Sequence, residues 1–194
     1  MAGSPLNGES IRAFLALPLS QVFYVEVGYV LNQLRPKGYE VRWVDPAQVH
    51  VTLHFFGSVP APTVPKIAEF LRPLFSRSKA PALALKGVGC FPDNRRARVI
   101  WMGLAGDCAA VMQLQASVAE ILSGAGYPSE DREFKIHATI GRAKKDRGIV
   151  FAAPDSLRAW SSEIQRIEHA VLYRSRLTPG GPRYETLETF PFAR

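Results

Sequence analysis

Val49-His50-Val51-Thr52-Leu53-His54-Phe55-Phe56-Gly57 decides the fold of this chain once it is set beside Lys135-Ile136-His137-Ala138-Thr139-Ile140. Each stretch holds His-x-Thr followed by an apolar residue, and each is rich enough in β-branched and apolar residues to read as a strand, over 49–57 and 135–140. Residues two apart in a strand share a face. His50 therefore stands beside Thr52 and His137 beside Thr139, while Val51, Leu53, Ala138 and Ile140 point into a core. The 87-residue offset from His50 to His137 also carries residues 11–17 onto 98–104 and the helix cap Ser20 onto Asp107, so the chain contains an internal repeat with one histidine per copy.

Working outward, residues 11–17 read as a buried strand, followed by a helix with Phe23, Val27, Val30, Leu31 and Leu34 at helical spacing, closed by Gly38. A second helix follows the first His strand, with Ile67, Phe70, Leu71 and Leu74 on one face. Residues 83–91 and 97–104 read as a hairpin around Pro92, Asp93 and Asn94. A third helix, carrying Val111, Leu114, Val118, Ile121 and Leu122, runs from an Asp107 N-cap to Gly124. After the strand at 135–140 come a basic loop with Lys144, Lys145 and Arg147, a short helix near 154–160, a strand at 164–173, a turn at 179–181 and a last strand at 184–190. Strands and helices interleaved in both copies predict an α+β fold of two related lobes whose sheets face each other, with the cleft between them as the natural site.

The composition agrees with such a fold. The 194 residues are 47% hydrophobic and 21% charged, the proportions of a folded globule, which sets aside disordered, collagen-like and coiled-coil classes. The longest apolar run, residues 13–19, is far shorter than the roughly 20 residues a membrane-crossing helix needs, and no basic cluster precedes it, so neither a transmembrane helix nor a secretory signal is expected. Cys90 and Cys108 have neither the number of a disulfide framework nor the spacing of a zinc site, which fits a reducing cytoplasm. The formal charge of +7 favours encounter with polyanions such as RNA or nucleotides.

Two imidazoles in one cleft supply a general base and a general acid near neutral pH. In-line displacement at phosphorus requires such a pair, one for the incoming water and one for the departing sugar oxygen, and the Thr52 and Thr139 hydroxyls are placed to donate to the non-bridging oxygens. Neither His-Glu-x-x-His nor a Cys/His cluster occurs, so no metal and no cofactor is expected, and His54 receives no role. The basic groups Arg95, Arg96 and Arg98, then Lys144, Lys145 and Arg147, are candidates either to flank the cleft and follow an RNA backbone or to form a solvated surface, and Trp43, Phe55, Phe56 and Tyr173 offer faces for base stacking or for ordinary packing.

Two His-x-Thr-x motifs in a duplicated chain of this length resemble the two-histidine (2H) phosphoesterase superfamily, and within it the RNA 2′,3′-cyclic phosphodiesterases, also called 2′-5′ RNA ligases. Further matches are Arg42-Trp43-Val44, Phe55-Phe56-Gly57, Cys90-Phe91-Pro92, Gly141-Arg142 and the stretch from Tyr173 to Tyr184. The resemblance implies one α+β domain over residues 1–194 built from two pseudo-symmetric lobes with an intertwined chain, facing antiparallel sheets, helices outside and the active-site cleft between them, acting as a monomer on RNA 2′,3′-cyclic phosphate ends or nucleotides, away from membranes. It implies metal-independent hydrolysis to a 2′-phosphate, with His50 as acid and His137 as base, Thr52 and Thr139 assisting, and reversal giving a 2′-5′ linkage. Arg142, Tyr173, Ser175 and Phe55 are the substrate contacts it suggests. The rival reading is a non-catalytic RNA- or nucleotide-binding module on the same scaffold.

Overall fold

A computed structural model describes residues 8–128, 133–178 and 181–193. In chain order its elements are β1 (Ser10–Pro18), α1 (Gln21–Leu34), β2 (Val41–Trp43), β3 (His50–Pro60), α2 (Val64–Phe75), β4 (Ala82–Phe91), β5 (Val99–Gly106), α3 (Cys108–Gly124), β6 (Ala138–Ala143), α4 (Asp155–Arg158), β7 (Gln165–Arg166), β8 (His169–Thr178) and β9 (Gly181–Pro191). The strands form one antiparallel sheet in the order β7-β4-β5-β6-β3-β1-β8-β9, with β2 added against β6.

The two halves of this sheet meet at a single ladder pair, Val51 of β3 opposite Ala138 of β6. These residues are equivalent under the 87-residue offset, so the pair lies on a local two-fold axis of the duplicated chain. An axis through an antiparallel ladder leaves equivalent side chains on the same side of the sheet. With only one pair joining them, the halves splay apart beyond it and wrap a cavity lined from both sides. The expectation of two facing sheets is thus met by two halves of one sheet, because the central strands still pair where they cross.

The same offset carries β4 onto β8, residue for residue at both ends, yet β4 pairs with β5 and β8 with β1. Each half-sheet therefore takes a strand from the other copy. On the face away from the cavity, α1 buries Phe23, Val27, Val30, Leu31 and Leu34, and α3 buries Val111, Leu114, Val118 and Leu122, all in one hydrophobic core. Burial of these side chains contributes about 1.5–3 kcal/mol each, which is why the helical spacing of apolar residues was legible. No helix among the described residues is long and apolar enough to cross a membrane.

Several local expectations shift. Neither Ser20 nor Asp107 caps its helix through a side chain; the Asp107 carboxylate accepts instead from the Ala82 backbone N–H at 2.9 Å, tying α3 to the start of β4. The second helix buries Ala68 and Phe75 with Ile67 and Leu71, leaving Phe70 and Leu74 half-buried. The strand expected at 135–140 begins only at Ala138, since the Lys135 carbonyl is taken by a side chain rather than by a ladder. The strand expected at 164–173 is two strands: β7 pairs with β4 in one half of the sheet, and β8 pairs with β1 in the other. The last strand starts at Gly181 rather than Tyr184; the remainder of the expected turn, residues 179–180, lies outside the described residues.

Candidate active site

Carried one residue either way from the Val51/Ala138 pair, the antiparallel register sets His50 across from Thr139 and Thr52 across from His137. Each histidine thus faces the other motif's threonine, on the side of the sheet away from buried Val51 and Ala138. The two histidines are diagonal neighbours, and such strand positions lie about 7–8 Å apart.

Each motif ends on a β-bulge. Pairing of β3 with β1 jumps from Thr52/Ala16 to His54/Leu15, and pairing of β6 with β5 jumps from Thr139/Trp101 to Gly141/Ile100. The extra residues, Leu53 and Ile140, are the apolar fourth positions of the two motifs, and both are buried. A bulge reverses the alternation of side chains. His54, which simple alternation places beside His50 and Thr52, therefore turns into the core, where it is 3% exposed and its ring lies 4.6 Å from Phe56. The equivalent Gly141 has no room for a side chain: a Cβ there would sit 2.6 Å from Val41 Cγ1 and 2.8 Å from Trp43 Cε3. Its bareness lets β2 lie close against β6 and brings Arg42 and Trp43 to the cavity wall.

Burial pushes His54 down to about 4 from 6.5. The unfolded chain binds this proton as pH falls through 6.5 and the folded chain only near 4, so stability is full above 6.5 and declines between those values. At about 1.4 kcal/mol per pKa unit, the loss is about 3 kcal/mol. Urea unfolding at pH 7 and pH 4.5 should show a marked decline that His54→Leu reduces; an equally steep decline in the variant would contradict it.

Both motif histidines are held alike. His50 Nδ1 donates to the Gln48 carbonyl at 2.7 Å and His137 Nδ1 to the Lys135 carbonyl at 2.5 Å, and Gln48 and Lys135 are themselves equivalent in the repeat. A carbonyl only accepts, so each Nδ1 carries hydrogen and each neutral ring keeps its basic lone pair on Nε2. Burial pushes His50 down to about 4; the Gln48 carbonyl opposes this, and the nearby charges of Arg142 and His137 add to it. His137 is lowered for the same leading reason, opposed by the Lys135 carbonyl and reinforced by Arg142.

The surroundings of the two rings differ. Phe14 stacks on His50 with centroids 4.8 Å apart, and Tyr184 meets it edge-on at 5.3 Å, with Tyr173 at 6.4 Å. His137 has only the Phe91 ring edge-on at 5.1 Å among the described residues. The cavity measures about 790 Å³ and is lined by His50, Thr52 and Thr139, with Arg142, Arg42, Arg35, Arg183 and one carboxylate, Asp45, in the same wall. His137 is not part of that lining; it stands just ahead of Ala138, near enough for its charge to act on His50. A smaller pocket of about 120 Å³ lies on another side of His50, bounded by Tyr24, Tyr173 and Tyr184.

Of the suggested substrate contacts, Arg142 lines the cavity and Tyr173 belongs to the aromatic cage of His50. Ser175 is paired with Arg12, and Phe55 lies 38% exposed under the Arg12 guanidinium, 5.7 Å from its ring centre; both lie outside the cavity wall. Within the basic loop, Lys145 pairs with Glu40 at 3.0 Å. The reading from sequence missed Phe14, Tyr184, Arg42, Arg35 and Arg183 as site residues. Phe14 had a signal, because the repeat offset carries it onto Trp101, another strand aromatic. Arg183 lay within the matching stretch from Tyr173 to Tyr184 without being singled out, and Arg35 had no signal, being brought in by the turn after α1.

The chain matches the family model described as LigT like Phosphoesterase over residues 28–101. An RNA 2′,3′-cyclic phosphodiesterase of Methanothermobacter thermautotrophicus is 30% identical over 187 residues, covering 93% of this chain and 98% of the relative. Another, of Archaeoglobus fulgidus, is 32% identical over 184 residues, covering 93% and 99%. Among solved structures, a Thermus thermophilus protein aligns with a TM-score of 0.73 at 29% identity, over 94% of this chain and 98% of its own. Escherichia coli LigT complexed with 3′-AMP aligns with a TM-score of 0.75 at 24% identity, over 96% and 100%, a likeness that speaks to the fold.

Proposed function

The chain belongs to the LigT-like phosphoesterases, and on that premise we propose that it hydrolyses the 2′,3′-cyclic phosphate end of RNA to a 2′-phosphate by metal-independent acid–base catalysis. The observation that carries this reading is the dyad-related pair of imidazoles, each fixed through Nδ1 by the carbonyl two residues before it. His137 Nε2 takes the proton of a water whose oxygen forms the new bond to phosphorus. The P–O3′ bond breaks on the opposite side, and His50 Nε2–H gives its proton to O3′. Thr52, Thr139 and Arg142 donate to the non-bridging oxygens as charge gathers there. With a 5′-hydroxyl in place of water as the group that gives up its proton and bonds to phosphorus, and O3′ again departing with the proton from His50, the same pair forms a 2′-5′ linkage.

Incubating RNA ending in a 2′,3′-cyclic phosphate with the protein and a chelator tests the reading: a 2′-phosphate product is expected. Binding without turnover would instead favour the non-catalytic module, and loss of turnover on chelation would overturn metal independence. The pH profile is a second check. Turnover needs one imidazole protonated and one neutral, so kcat/KM is bell-shaped with its optimum midway between the two free-enzyme values. Both values are lowered, so the optimum falls below pH 6.5. The anionic substrate stabilises the imidazolium, so the kcat optimum lies higher than that of kcat/KM. A kcat/KM optimum above 7 would contradict this.

A further inference from the structure

Arg42 of β2 and Arg142 of β6 are directly opposed in an antiparallel pair, and both line the cavity. Like charges in that relation destabilise the pairing. Among the described residues neither guanidinium makes an ion pair. The nearby carboxylates are engaged elsewhere: Glu40 with Lys145 at 3.0 Å, and Asp45 as acceptor from the Ala47 backbone N–H at 3.0 Å. Close approach of this pair is made possible by the bare Gly141 next to it. The wall thus presents two adjacent forks suited to paired hydrogen bonds with phosphate oxygens.

The two arginines stand differently toward the motif histidines. Arg142 acts on both motif imidazoles and on Tyr184, so it lies beside the reacting position. Arg42 lies across the β2–β6 ladder from it, about 5 Å away in backbone spacing, on the edge of β6 that β3 occupies at Ala138, and among the described residues Arg142, not Arg42, is the arginine whose charge acts on the histidines. Small-molecule sites range over about 300–1,000 Å³, and this cavity of about 790 Å³ lies in the upper part of that range. A chain whose terminal phosphorus lies between His50 and His137 can pass Arg142 and meet Arg42 with its next phosphate.

We propose that Arg42 binds the internucleotide phosphate immediately upstream of the cyclic phosphate, which makes an RNA end of two or more nucleotides, rather than an isolated cyclic nucleotide, the preferred substrate. This rests on the reading under Proposed function. Arg42 is a specificity-determining residue that gains its effect from the second phosphate's charge.

A dinucleotide ending in a 2′,3′-cyclic phosphate, made with either a native linkage or an uncharged methylphosphonate linkage, tests it. Wild-type kcat/KM should fall about tenfold when the linkage is neutralised, as expected for one charge-assisted contact. Arg42→Gln should lose about tenfold on the native linkage and no more than about twofold on the methylphosphonate, with Arg42→Lys between wild type and Gln. The slope of log kcat/KM against log salt should become shallower by about 0.7 in Arg42→Gln, one phosphate's share on a single strand. Equal losses on both linkages, or a wild type indifferent to the linkage charge, would overturn the proposal. A wild type that hydrolyses neither dinucleotide would overturn the underlying function, and this inference with it.

Discussion

Alanine at His50 or at His137 is expected to lower kcat on a cyclic phosphate end by about 10³-fold, within the 10²–10⁴ that a positioned acid or base contributes. The double variant should lose little more than the worse single one, because acid and base act in one step and their effects do not add. A structural role for either ring would instead show as lost stability. His137 has only one ring contact among the described residues, so His137→Ala should unfold like the wild type. His50 packs in a cage of Phe14, Tyr173 and Tyr184, so His50→Ala is expected to be somewhat less stable while still folded. The roles separate with a substrate bearing sulfur in place of O3′: a thiolate departs without a proton, so His50→Ala regains most of its rate and His137→Ala does not. Recovery of His137→Ala alone would reverse the assignment, and recovery of both variants would contradict a division into one acid and one base.

The second large effect is expected at Arg142. In the proposed reaction its guanidinium donates to the oxygens on which charge gathers, and removing one such donor costs about 10²–10³ in rate. Arg142→Gln should show that loss in kcat/KM. The same charge depresses both imidazoles, so its removal lets both rise and moves the kcat/KM optimum up toward 6.5. A residue that only held β6 in place would lower activity at every pH alike. Reduced activity with an unmoved optimum would therefore assign Arg142 to structure rather than to the reaction.

The repeat was legible because its most constrained feature lies in the strands: a histidine, a threonine and an apolar residue at spacings that a two-residue alternation reads directly. The bulges were not legible. Leu53 and Ile140 look like ordinary inward-facing strand residues, and only their being skipped in the pairing with β1 and β5 shows that the alternation reverses after them, which turns His54 away from the cleft. The strand exchange between copies was hidden for a similar reason, since β4 and β8 have the same length and pattern whichever half they join. Residues 164–173 read as one apolar strand because burial on either half of the sheet selects the same residue types. The arginines of the cavity wall carry no periodicity, so pairing across β2 and β6 had to bring Arg42 beside Arg142.

A crystal structure of the protein with a uridine–vanadate complex, a five-coordinate mimic of the displacement at phosphorus, bears most directly on the two-imidazole reaction. In-line displacement predicts vanadium between the two rings, with His50 Nε2 and His137 Nε2 each within hydrogen-bond distance of an opposite apical oxygen, and Thr52 and Thr139 on the equatorial oxygens. Vanadium held by one imidazole alone, with the other ring turned to solvent, would contradict it.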